Sequence, residues 1–140
     1  MNMAQTKAVL NIPSDFKWEE CSNIDYTPGK KASYWIYPEL KNKIRIAHYS
    51  GDTDGVVPHV GTMMWMDRLG WEVTKDYDLW GLGPYYLGGW IEKREGMDLI
   101  IIHGAGHMVP QWKRPESTFA FEHWINDKEF PAPEHPDPLT

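Results

Sequence analysis

Two short apolar stretches stand out along the chain. Residues 44–50, IRIAHYS, alternate and then run apolar up to Gly51, and residues 97–102, MDLIII, form a second such run. Each is too short for an ordinary helix and carries β-branched residues, so each reads as a buried strand. Helical spacing follows both. From Pro58 to Leu69, Val60, Met63, Met64 and Leu69 can share one face, and Gly70 is a natural stop. From 115 to 126, PESTFAFEHWIN opens on a proline and places Phe119, Phe121 and Trp124 or Ile125 on one side. A short helix is expected over residues 4–12, ending before Pro13, with a helical turn around Ser33–Leu40.

The intervening stretches lack a clear period. Residues 13–43 read as a long irregular loop carrying Pro13, Pro28, Gly29 and Pro38, with Tyr34, Trp35 and Tyr37 between them. Residues 71–90 read as short strands and turns, with Gly88-Gly89 as a bend. From Phe130 onward four prolines among charged residues predict an extended or disordered tail. There are no internal repeats. Strands alternating with helices predict an α/β architecture with a mostly parallel sheet and flanking helices. Two strands cannot make such a sheet alone, so the chain reads as the last βαβα part of a larger domain spanning residues 1–127, with a Pro-rich tail at 128–140.

Composition narrows the function classes. The chain has 140 residues and is 41% hydrophobic, enough for one small domain with a core. No apolar run approaches the roughly 18–20 residues of a membrane span. The net charge of −6 weighs against nucleic acid, which wants clustered Lys and Arg. Met1 to Leu10 has no basic region followed by an apolar one, so no signal peptide is expected there, and no N-x-Ser/Thr acceptor occurs. Cys21 is the single cysteine; composition leaves open a plain thiol or a bond to a partner elsewhere. Eight Trp and seven Tyr are a heavy load to bury, which suggests that some rings pack against surface outside this chain.

The candidate chemistry sits where both predicted strands end. In open parallel sheets, sites form beyond the carboxyl ends of the strands. The first strand leads into Ser50-Gly51-Asp52-Thr53-Asp54-Gly55, the second into Gly104-Ala105-Gly106-His107-Met108-Val109-Pro110. An acid followed by a histidine matches the last two members of the Ser…Asp…His order of α/β-hydrolases. Histidine would move the nucleophile's proton, and a buried carboxylate would fix its tautomer. Simpler readings compete: Asp54 as a turn former and His107 as a plain loop residue. Asp52 to Gly55 resembles the start of a calcium loop, but the glycine comes too early and the twelfth position from Asp52 is Met63 rather than Glu. His103 and His107 are four apart, yet Gly104 and Gly106 argue against a zinc-binding helix. Met63, Met64 and Met66 read as core packing.

At these loops the sequence resembles the serine carboxypeptidase family. IAHYSGDTDGVVPHVGT, with Trp65 in the next helix, is similar to the family's acid segment, and IIIHGAGHMVPQWKRPESTFAFEHWI to its histidine segment and last helix. Trp80 and LGGW (Leu87 to Trp90) match a Trp-containing hairpin; KAVLNIP and WEECS match the stretch after the family's insertion region. The resemblance implies the C-terminal part of an α/β-hydrolase fold, with Asp54 as catalytic acid, His107 as catalytic base, Met108 lining the substrate pocket and Asp52 capping backbone N–H groups. It implies that Cys21 is disulfide-bonded to an N-terminal part, and a lysosomal, vacuolar or extracellular location. The family's G-x-S-x-G elbow is absent: Ser14, Ser22, Ser33, Ser50 and Ser117 all lack that context. The implied activity is removal of a peptide's C-terminal residue through an acyl-enzyme, in concert with an N-terminal segment or chain supplying the serine. No metal or organic cofactor is implied. The alternatives are an acyltransferase or hydroxynitrile lyase, which the family also contains, or a non-catalytic structural or interaction subunit.

Overall fold

A computed structural model describes residues 1–20, 25–27, 29 and 33–134. Cys21 and the end of the tail, 135–140, lie outside the described residues. By contact density the chain divides into a unit of Met1–Ala32 and a unit of Ser33–Thr140.

The first unit is built on helix α1, Ala4–Val9. It ends earlier than the expected residue 12 because Asn11 takes a left-handed conformation, φ 54°. Asn11 N–H then donates to the Ala8 carbonyl at 3.2 Å and Ile12 N–H to the Lys7 carbonyl at 2.9 Å, a Schellman closure that satisfies the last carbonyls, with Pro13 next. Asn2 clasps the returning chain: its amide donates to the Trp18 carbonyl at 2.9 Å and its oxygen accepts the Trp18 N–H at 2.8 Å.

The second unit runs α2 (Ile36–Leu40), β1 (Ala47–Gly51), α3 (His59–Asp67), β2 (Val73–Gly83), β3 (Tyr86–Arg94), β4 (Met97–Ile102), α4 (Val109–Trp112) and α5 (Arg114–Ile125). The sheet order is β1-β4-β3-β2. Only β1 and β4 pair in parallel; β3 is antiparallel to both β4 and β2. The expected mostly parallel sheet is therefore corrected to a mostly antiparallel one. The cause lies in 71–94, which forms two long strands rather than short ones. Two-residue connections, Pro84-Tyr85 and Glu95-Gly96, join the successive strands, and links that short allow only antiparallel pairing.

The glycines of this hairpin are packing devices rather than bends. A Cβ on Gly88 would lie 2.1 Å from the Trp80 ring, so glycine there makes room for a fully buried indole. Gly89 passes so close to Ile101 that a Cβ would sit 1.8 Å from its carbonyl oxygen.

Strand β4 is apolar but for Asp98, and both its faces are covered. Ile100 and Ile102 join Trp80, Ile91, Ala120 of α5 and Phe130 on one side. Met97, Leu99 and Ile101 join Trp90 and Met66 of α3 on the other. Each fully buried Ile or Leu contributes about 1.5–3 kcal/mol. The helices present slightly different faces from those expected. In α3, Thr62 and Met66 are buried and Met63 packs beside them, while Val60 and Met64 face out. In α5, Glu116 and Ala120 are buried with Phe119 and Trp124 alongside, and Phe121 and Ile125 are exposed. The start of the tail is held: Phe130 stands edge-on to Trp80 with centroids 5.6 Å apart, and the Pro131 carbonyl accepts the Gly81 N–H at 3.0 Å.

Candidate active site

The parallel register of β1 and β4 sets the site. Gly51 is the last residue of β1 and is paired with Ile102, the last of β4. The two loops therefore start level, at Asp52 and His103, on the same edge of the sheet. They interlock through the backbone: Asp52 N–H donates to the Ile102 carbonyl at 3.3 Å and Thr53 N–H to the Ala105 carbonyl at 3.0 Å. Gly51 is required by this closeness, since a Cβ there would lie 2.0 Å from the Ala105 oxygen.

Within this frame Asp54 and His107 meet. Asp54 Oδ2 is 2.9 Å from His107 Nδ1. Asp54 Oδ1 accepts the N–H groups of Val56 at 2.7 Å and Val57 at 3.0 Å, so the acid is fixed by its own loop. The carboxylate side chain is 6% exposed and the histidine 50%, a buried acid behind an open base. Burial by itself would raise the Asp54 pKa. The hydrogen bond with His107, the two backbone donors and the attraction of the imidazole outweigh it, and hold the carboxyl below its ordinary value. An ionised Asp54 only accepts, so the imidazole keeps its proton on Nδ1. In the neutral ring Nε2 is then a bare acceptor, the tautomer a general base needs.

Met108 follows His107 as the residue before α4 and is 54% exposed. Its carbonyl accepts the N–H groups of Gln111 and Trp112. Two of the serines are engaged elsewhere: Ser50 is buried in β1 and Ser117 donates to the Lys113 carbonyl at 2.7 Å. Among the described residues no three His, Cys, Asp or Glu side chains converge as metal ligands, and no helix is long and apolar enough to cross a membrane.

A second acid–histidine pair lies beside the first. Asp52 Oδ2 is 2.7 Å from His103 Nδ1, and Asp52 Oδ1 accepts the Gly104 N–H at 2.7 Å. The expected capping by Asp52 is present, but across the loops rather than within its own. Sequence reasoning considered His103 only as half of a zinc helix. The signal for its actual place was that Asp52 and Asp54 on one loop stand against His103 and His107 on the other.

Comparison with known proteins shows which family the chain resembles. The family profile described as serine carboxypeptidase matches residues 1–127. Serine carboxypeptidase II-1 of Hordeum vulgare is 33% identical over 131 residues, covering 91% of this chain and 40% of that protein. Serine carboxypeptidase-like 34 of Arabidopsis thaliana is 30% identical over 129 residues, 89% of this chain and 25% of that protein. P-(S)-hydroxymandelonitrile lyase of Sorghum bicolor is 30% identical over 143 residues, 96% of this chain and 28% of that protein. The chain thus spans between 25% and 40% of the length of these relatives. On this evidence the chain belongs to the serine carboxypeptidase family.

Proposed function

We propose that this chain supplies the acid and base of a Ser-His-Asp triad, Asp54 and His107, to a serine carboxypeptidase whose nucleophile lies on an N-terminal segment. The observation that carries the reading is the 2.9 Å contact between a buried, loop-anchored carboxylate and a half-exposed imidazole on paired strand ends. The family membership supports it. In the assembled enzyme the serine hydroxyl would donate its proton to His107 Nε2 as it attacks the carbonyl of the last peptide bond. His107 would then protonate the leaving amino acid, and the acyl-enzyme would be hydrolysed by water activated in the same way. Met108, exposed beside the base, is assigned to the substrate pocket. Cys21 is assigned to a disulfide with the N-terminal part, in a vacuolar, lysosomal or extracellular compartment. The similarity to the sorghum lyase keeps a second reading open, in which the same pair moves a proton for cyanohydrin cleavage.

The test is steady-state hydrolysis of a blocked dipeptide by the complete enzyme. His107→Ala should lower kcat by about 10⁶ with folding intact, because nothing else moves the proton in either half-reaction. A variant that keeps more than about a tenth of wild-type turnover, under about 1.4 kcal/mol of barrier, would show that His107 is not the base. Cleavage of an aromatic cyanohydrin without peptide hydrolysis would favour the lyase.

A further inference from the structure

We propose that Asp52 and His103 form a positioning clamp that sets the place of His107. The proposal rests on the triad reading above. His107 follows Gly104-Ala105-Gly106, whose one side chain, the Ala105 methyl, is buried in the core, and in which Gly104 is left-handed at φ +66°. Its ring is half exposed and is held by Asp54 at one nitrogen. The loop is already tied at Ala105 by Thr53 N–H, and the clamp fixes it again at its root.

The two aspartates of the acid loop divide the work. Asp54 spends one oxygen on its own loop, at Val56 and Val57, and one on His107. Asp52 spends both oxygens on the opposite loop, one on Gly104 N–H and one on His103 Nδ1, each at 2.7 Å. An aspartate that merely shaped its own turn would accept N–H groups two or three residues on, as Asp54 does. His103 is tethered from a third direction, its N–H donating to the Gly88 carbonyl at 2.9 Å. The histidine loop is therefore tied to the acid loop at residues 103, 104 and 105 before it reaches 107. The pair is partly shielded, with side chains 28% and 22% exposed, which strengthens a charge-assisted hydrogen bond over one in open water. Neither residue is needed to touch substrate; both act through His107.

The experiment is active-site labelling of the complete enzyme with a fluorophosphonate, alongside dipeptide hydrolysis. Misplacing a catalytic group by about 1 Å can cost on the order of 10²-fold in rate. His103→Leu and Asp52→Ala should therefore slow the labelling rate and kcat together by about 10- to 100-fold, with KM within about three-fold. The number of sites finally labelled should match wild type. His103→Asn can still donate an N–H to Asp52 and should recover to within about three-fold of wild type. Labelling at the wild-type rate in His103→Leu would overturn the clamp. So would fewer labelled sites at an unchanged rate per site, which marks a purely structural role, or a His103→Asn variant as slow as His103→Leu. If the wild-type enzyme takes no label, the triad reading fails and the clamp with it. Normal wild-type labelling with unaffected variants sinks the clamp alone.

Discussion

Replacing Asp54 by Asn probes the acid with the least change in shape, and the structure dictates how the amide must sit. Asp54 Oδ1 faces two backbone donors, Val56 and Val57 N–H, at 2.7 and 3.0 Å. An amide NH2 placed there would set donors against donors, so the Asn oxygen is forced to that side. Its NH2 then faces His107 Nδ1, at the position where Oδ2 stands 2.9 Å away. The imidazole can satisfy that donor only by giving up its Nδ1 proton and carrying it on Nε2. In that tautomer Nε2 cannot take a proton from a serine, and the imidazolium has lost its counter-charge. The cost of this wrong-tautomer arrangement in other triads is about 10⁴ in kcat. The loop caps survive, so the fold should be little disturbed. We expect kcat for a blocked dipeptide, measured in the complete enzyme, to fall by about four orders of magnitude with KM within about three-fold. Asp54→Ala should lose the caps as well and destabilise the acid loop, whereas Asp54→Asn should not. A fall in kcat of less than about ten-fold in Asp54→Asn would refute the reasoning, since the forced amide orientation leaves the base no correct tautomer.

Two further outcomes follow from packing and burial. Gly88→Ala would put a methyl 2.1 Å from an indole that has no exposed surface to retreat to. Urea denaturation should show a loss of about 3 kcal/mol, at the upper end for an overpacked core. Trp80→Leu in the same background should return part of it, a coupling that two independent lesions would lack. His48 lies between Thr62 and the edge of Trp65, and burial pushes its pKa below the ordinary value. A histidine depressed in the folded state binds fewer protons there than when unfolded. Stability is then highest above the unfolded pKa of about 6.5 and falls as pH drops below it. His48→Gln should flatten that part of a pH–stability profile, and an unchanged slope between about pH 7 and 5 would contradict the assignment.

The meeting of Asp54 with His107 was legible in the sequence, and most of the sheet was not. MDLIII, apolar but for Asp98 and covered on both faces, announced β4 directly, whereas IRIAHYS overlaps β1, an edge strand that begins only at Ala47 and leaves Tyr49 exposed. Their register then carried the acid and histidine loops to one edge without further help. The strands of the hairpin between them carry their information differently. In β3, Gly88 and Gly89 stand where Trp80 and the Ile101 carbonyl approach, and a glycine that makes room is indistinguishable in sequence from one that makes a turn. The same ambiguity hid which helix faces are buried. Spacing put Val60 with Met63, but sheet and helix pack through Thr62 and Met66, so polar Thr62 outranks an apolar neighbour. His103 was invisible for a related reason. It is the first residue after β4, where its role depends on the chain beside it, and one residue of slip between β1 and β4 would leave Asp52 facing no imidazole. The second pair is therefore a statement about register, and register is the quantity that periodicity along a single strand cannot supply.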